Sequence, residues 1–243
     1  MLRRSVFTNP VTDLSMCIGG TVVACLLLLE TPTRGQATGD MPYLVKNIDA
    51  SGSSEPGEFV QVGRFTYFRA HDGVHGSELW RTDGTEEGTS LVTDINAGEA
   101  SSFPSDLIGF KAKLFFTART DEAGREVWST DGSAEGTGLL GDINPGSSDG
   151  VDAFQRLFVP FGDTLYFRGQ DLAGIELWKT DGTPEGTVLV GDIHPGAQWS
   201  VPIYLAPLRG RVYFSADDKY TPELLAFDRE LWTTDGTSRG TFV

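Results

Sequence analysis

Four glutamates (Glu78, Glu126, Glu176, Glu230) and four aspartates (Asp83, Asp131, Asp181, Asp235) recur at matching places along this 243-residue chain. Paired carboxylic acids hydrolyse glycosides and oxygen-rich turns hold calcium, so both sets are candidates for chemistry. A catalytic pair needs two carboxyl groups in different environments within about 10 Å. The glutamates instead head the same strand in successive copies of one segment, which gives them matching environments. A structural hydrogen bond to backbone of a neighbouring repeat is the better reading. Calcium takes about six to eight oxygens, usually from several acids close in sequence. One aspartate per turn falls short, so turn geometry is the first reading there and calcium the alternative. The three histidines are His71, His75 and His194. His71-Asp72-Gly73-Val74-His75 could supply metal ligands, but Asp72-Gly73 serves a turn equally well and no second His-rich element supports a zinc site. Phosphate-loop, dinucleotide-binding and nucleophile-elbow motifs are absent. No catalytic, cofactor-binding or metal-binding residue is assigned.

The segments that position these acids are repeats. Glu78-Leu79-Trp80-Arg81-Thr82-Asp83-Gly84-Thr85 returns around Trp128, Trp178 and Trp232, at tryptophan spacings of 48, 50 and 54 residues. A period of this size signals one supersecondary unit stacked or arranged radially. Within each unit, short apolar runs such as Phe65–Phe68, Leu114–Thr117, Leu165–Phe167 and Val212–Phe214 precede a glycine-containing turn and the Glu-Leu-Trp strand. The Asp-Gly-Thr-x-x-Gly-Thr stretch then reads as a hairpin loop. Asp83 bonds its own backbone two residues on, and Gly84 and Gly88 accept positive φ. Leu91-Val92-Thr93-Asp94-Ile95 and its copies follow as the strand paired with the Trp strand. Adjacent apolar pairs such as Tyr67-Phe68 and Leu79-Trp80 imply sheets covered on both faces. Burying one tryptophan is worth up to roughly 4–6 kcal/mol, so the four repeated indoles dominate the packing.

The expected fold is all-β: a β-propeller-like array of four repeats, each about 50 residues and four strands, at about 43–90, 91–138, 139–188 and 189–243. Tyr43–Asp49 has no Trp strand before it and the last Trp strand has no matching run after it. Strands from the two ends could therefore share a blade and close a ring; the rival reading is an open piece of a longer array. The stretch 217–228 makes the fourth unit longer than the others and is expected as a surface loop with exposed aromatics.

At Glu-Leu-Trp-x-x-Asp-Gly-Thr the chain resembles the bacterial ELWxxDGT repeat family, over roughly residues 43–243. Val127 and Ser133 soften the second copy. The resemblance implies a secreted β-propeller-type protein and supplies no catalytic residue to carry over.

Residues 1–37 read as a secretory signal, with Arg3 and Arg4 before the apolar run Met16–Leu29 and a small-residue site at Gly35-Gln36-Ala37. A retained anchor, a twin-arginine signal and lipidation at Cys25 are the alternatives. Both cysteines, Cys17 and Cys25, fall in this leader, so residues 38–243 contain no thiol. The formal charge of −15 disfavours nucleic acid and anionic membrane as partners. The expected function is a secreted or cell-surface, non-enzymatic scaffold for an unknown protein or glycan ligand, with the periplasm a further location and no stable membrane insertion after cleavage. The alternatives are an extracellular glycan-active propeller enzyme acting through the 217–228 stretch, and a calcium-stabilised surface protein.

Overall fold

The computed structural model describes residues 42–152, 157–195, 199–221 and 226–243. The leader, with Cys17 and Cys25, lies outside the described residues. Among them there are fifteen strands and no helix. The first sheet contains β1 (Gly57–Val62), β2 (Phe65–His71), β3 (Ser77–Thr82) and β4 (Ser90–Thr93). The second contains β5 (Ser105–Phe110), β6 (Lys113–Thr120), β7 (Gly124–Thr130) and β8 (Gly138–Gly141). The third contains β9 (Val159–Phe161), β10 (Thr164–Asp171), β11 (Gly174–Thr180) and β12 (Val188–Gly191). The fourth contains β13 (Ile203–Leu208), β14 (Arg211–Thr221) and β15 (Ala226–Thr234). Each sheet is an antiparallel meander whose strands follow chain order, the arrangement of a propeller blade.

The same register repeats in every sheet. Phe68 faces Trp80, Phe116 faces Trp128, Phe167 faces Trp178 and Phe214 faces Trp232. Two positions along, a small residue faces the glutamate: Ala70–Glu78, Ala118–Glu126, Gly169–Glu176 and Ala216–Glu230. A Cβ on Gly169 would meet the Trp178 ring, so the third sheet keeps glycine where the others carry alanine.

Side chains alternate along a strand, so Tyr67 and Phe68 pack on opposite faces. The core consequently lies between sheets. Tyr67, Leu79 and Val92 of the first sheet pack on Leu114, Phe116 and Ala118 of the second. Phe115, Val127 and Leu140 pack on Leu165 and Phe167 of the third. Tyr166, Leu177 and Val190 pack on Val212, Phe214 and Ala216 of the fourth. None of the four indole N–H groups bonds an acceptor among the described residues, so tryptophan contributes contact area here.

In three of the four sheets the first strand is entered through a bulge. Glu58, Asp106 and Tyr204 adopt φ of 61°, 55° and 59° beside register shifts at Gly57/Val60, Ser105/Ile108 and Ile203/Ala206. An extra residue in the left-handed region bends the strand as it enters the ladder. Nothing in the residue types at those positions announced it.

Among the described residues no ladder joins residues 42–56 to β15. The outer edge of β15 carries one bridge, Thr233 to Phe242. Residues 43–46 lie on the first sheet's own hairpin loop, with the Lys46 ammonium donating to the Thr89 carbonyl at 2.7 Å. The 217–228 stretch departs from the sequence expectation of a surface loop. Its two halves extend β14 and β15 into one longer hairpin, pairing Asp217 with Arg229 and Tyr220 with Phe227.

Candidate functional site

The recurring glutamates are buried hydrogen-bond acceptors. Glu78, Glu126 and Glu176 are each 0% exposed. Glu78 accepts the Ser102 N–H at 2.7 Å and hydroxyl at 2.6 Å, and the Ile95 N–H at 3.1 Å. Glu176 repeats this with the Ser200 N–H, the Ser200 hydroxyl and the Ile193 N–H. These donors belong to the segment that leads from one sheet to the next, so the carboxyl group clamps the connection between blades. Glu126 is the weaker clamp: it accepts the Asn144 N–H at 3.3 Å, and its Oε2 accepts nothing among the described residues. The position of Ser102 and Ser200 is here taken by Gly150, where a Cβ would collide with the Glu126 carboxyl. Burial pushes all three upward, opposed by those donors, to about 7 for Glu78 and Glu176 and about 8 for Glu126. Glu126 lacks the serine hydroxyl bond that lowers the other two. Glu230 breaks the pattern, because it is exposed.

The four aspartates serve their own turns. Asp83 Oδ1 accepts the Thr85 N–H at 3.0 Å and hydroxyl at 2.7 Å. Asp131, Asp181 and Asp235 do the same with Ser133, Thr183 and Thr237. These hydroxyl bonds, first among the causes for three of the four, hold the carboxyl groups below the usual range. The flanking threonines close the loop. The Thr89 hydroxyl donates to the Thr85 carbonyl and sits 2.7 Å from Thr82 Oγ1, which accepts the Gly84 N–H. One hydroxyl carries one proton, so Thr82 must supply the shared bond.

Gly84 adopts φ of 92° as expected, whereas Gly88 does not adopt positive φ. Its requirement is steric: a Cβ on Gly88 would overlap the Asp83 carboxyl, and Gly136, Gly186 and Gly240 repeat the conflict with Asp131, Asp181 and Asp235. The loop also docks on the previous sheet. The Tyr67 hydroxyl lies against Gly132, the Phe115 ring against Gly182 and the Tyr166 hydroxyl against Gly236. Arg81 donates to the Gly132 carbonyl at 2.6 Å and Lys179 to the Gly236 carbonyl at 2.7 Å.

The histidines form no common cluster. Asp72 Oδ1 accepts the Val74 and His75 N–H groups and its Oδ2 meets His75 Nδ1 at 2.7 Å. Burial pushes Asp72 up, but these bonds prevail and bring it to about 2, and the Asp72 bond raises His75. His71 Nδ1 lies 3.6 Å from Asp49 Oδ2. Among the described residues no group of three His, Cys, Asp or Glu side chains is placed to hold a metal ion.

One acid lies outside the repeat pattern. Asp217 is 1% exposed and receives the Arg229 guanidinium at 2.6 Å. Burial pushes it up more than Arg229 pulls it down. Asp217 Oδ1 and the neighbouring Asp218 Oδ1 are buried and accept no hydrogen bond among the described residues. The 217–228 stretch had drawn notice by its length; the burial of Asp217 had no signal in its residue types.

A scan against protein families and a search of curated proteins find no match. Among solved structures, the chain is similar to a puromycin hydrolase at 17% identity and TM-score 0.44, over 76% of this chain and 28% of that one. It is similar to a prolyl endopeptidase at 13% identity and TM-score 0.42, over 74% and 24%. A third is a GH43 endo-arabinanase from Bacillus licheniformis, at 14% identity and TM-score 0.32, over 79% and 74%. The chain thus spans about a quarter of the length of the first two.

Proposed function

We propose that this chain is a secreted, non-enzymatic β-propeller-like scaffold of the ELWxxDGT type that binds a protein or glycan ligand outside the cell. One observation carries the reading: seven of the eight recurring carboxyl groups, all but Glu230, are already engaged by the fold. Three buried glutamates hold the connections between sheets, and four aspartates hold their own turns. A reaction needs an asymmetric set of groups with different proton affinities, whereas these sets supply the same bond several times over. The Asp-Gly-Thr loops are alike, but the turns before the Glu-Leu-Trp strands, at 72–76, 121–123 and 172–173, differ in length and residues from blade to blade, and varied loops on a common frame are where recognition resides. The purified protein, screened against extracellular polysaccharides and surface proteins, is expected to retain a ligand without converting it. Conversion of any polysaccharide by the pure chain would overturn the reading.

A second reading, an extracellular glycan-active enzyme, is favoured by one feature. Asp217 is a buried, arginine-held carboxyl group with raised proton affinity and a free oxygen, the character of a general acid. Its signature would be turnover that Asp217→Asn abolishes in a variant that is still folded at the assay temperature.

A further inference from the structure

We propose that a cavity between the second and third sheets is a binding seat for an alkylammonium group, the lysine side chain of a basic partner protein. There it bonds the Gly182 carbonyl, where the junctions on either side supply a cation of their own. The choice of partner rests on the scaffold reading above; the seat itself rests on the geometry of this chain alone.

The four Asp-Gly-Thr loops present the same backbone carbonyl, and three of the four meet a side-chain donor. The Gly132 carbonyl accepts from Arg81 at 2.6 Å and the Gly236 carbonyl from Lys179 at 2.7 Å. The Gly84 carbonyl accepts the Tyr43 hydroxyl at 3.4 Å. Among the described residues no donor reaches the Gly182 carbonyl. Gly132 and Gly236 are buried, whereas Gly182 is only half-buried, so its acceptor is open to a group from outside.

The strand register accounts for the difference. Tyr67 faces Arg81 and Tyr166 faces Lys179, but in the second sheet Phe115 faces Ser129. That sheet therefore lacks two polar ends in one place, a phenol hydroxyl and a cation. Phe115 keeps its ring against Gly182, where a Cβ would lie 2.9 Å from the ring's Cζ. The space that the two polar ends would fill is left as a surface cavity of about 190 Å³, lined by Lys113, Ser129, Glu135, Leu139, Gly182 and Pro184 among others. It is smaller than the roughly 300 Å³ at which pockets for drug-sized ligands begin, and suits one long side chain.

The lining fits an ammonium group on an aliphatic stem. Leu139 and Pro184 offer apolar walls to the methylenes, and an ammonium has three N–H donors for the Gly182 carbonyl, the Ser129 hydroxyl and water. Glu135 is exposed and adds a negative charge at the rim. Lys113 is the one opposing charge in the lining. It faces a carboxylate of its own, because the Ser133 N–H and hydroxyl first, and Lys113 after them, hold Asp131 below the usual range. The formal charge of −15 favours encounter with a basic partner.

Nuclear magnetic resonance of the full chain, titrated with n-butylammonium chloride, tests this. The amide signals of Gly182 and its neighbours are expected to shift and to saturate, with a dissociation constant on the order of 10 mM or below. n-Butanol, which lacks the charge, and tetramethylammonium, which lacks the N–H, should bind about tenfold more weakly or worse. Ser129→Lys supplies the missing cation and should abolish the binding; should that variant melt early, Ser129→Met fills the same space without a charge. A lysine-bearing peptide should displace butylammonium, and the same peptide acetylated on its lysine should not. Absence of saturable shifts at Gly182, binding that survives a folded Ser129 variant, or a preference for butyrate that Lys113→Ala removes would each overturn the seat. Displacement indifferent to acetylation would overturn the partner. A ligand retained by a chain whose seat had failed these tests would leave the scaffold reading standing without it.

Discussion

Replacing Glu126 by glutamine should stabilise the protein at neutral pH and leave it unchanged in acid. In the unfolded chain this group releases its proton near 4.5, and in the fold near 8. The folded state therefore keeps a proton that the unfolded state loses across that window. Stability is fully present below 4.5 and falls as the pH rises towards 8, by about 1.4 kcal/mol per pH unit. At pH 7 the loss reaches at most about 3 kcal/mol, since relaxation around the charged group reduces it. Glutamine is neutral at every pH and its carbonyl can accept the Asn144 N–H. Its amide takes the place of Oε2, which accepts no bond. The gain at pH 7 corresponds to roughly 5–10 °C in melting temperature for a chain of this size. Thermal melts of variant and wild type, followed by circular dichroism from pH 4.5 to 8.5 at fixed ionic strength, give the difference directly. A difference that does not grow with pH, or a variant less stable at pH 7, would refute the reasoning. Glu78→Gln is the internal control. There the amide would face the Ser102 N–H or both the Ser102 hydroxyl and Ile95 N–H, so a donor confronts a donor and stability in acid should fall.

Three further outcomes follow from the packing. Leu177→Ala should cost about 2–5 kcal/mol and Leu231→Ala, at a position 66% exposed, less than about 0.5 kcal/mol; equal losses in chemical denaturation would contradict the burial assigned to the two. Gly88→Ala should lower stability by roughly 1–3 kcal/mol through displacement of the Asp83 carboxyl, while Gly138→Ala, with nothing near its Cβ, should be close to neutral. Comparable melting temperatures for that pair would show that the turn does not need its second glycine. Asp217→Ala should cost about 1–3 kcal/mol, because it leaves the Arg229 guanidinium without its carboxylate; an unchanged melting temperature would show that the pair contributes nothing.

What the sequence determined by itself was the local part. The period shows as recurrence along the chain; the pairing of each Trp strand with the run after it and the Asp-Gly-Thr hairpin lie within some twenty residues of one another, and short-range turn chemistry with alternating apolar positions specifies them. The Asp83 turn bond could be read directly, because donor and acceptor are two residues apart. The tertiary structure decided everything that depends on what a neighbouring sheet brings. Glu78 and Glu230 have the same sequence surroundings, yet one is sealed under Ser102, 24 residues away, and the other is open to water. Gly88 looked like a positive-φ position and proved to be room for a carboxyl group. Asp217 looked like a loop residue and proved to be a buried carboxyl group paired with an exposed arginine, because the added residues lengthened a hairpin. Burial and proton affinity are properties of the assembled stack, set by desolvation and by donors distant in sequence, and a repeat read one copy at a time contains neither.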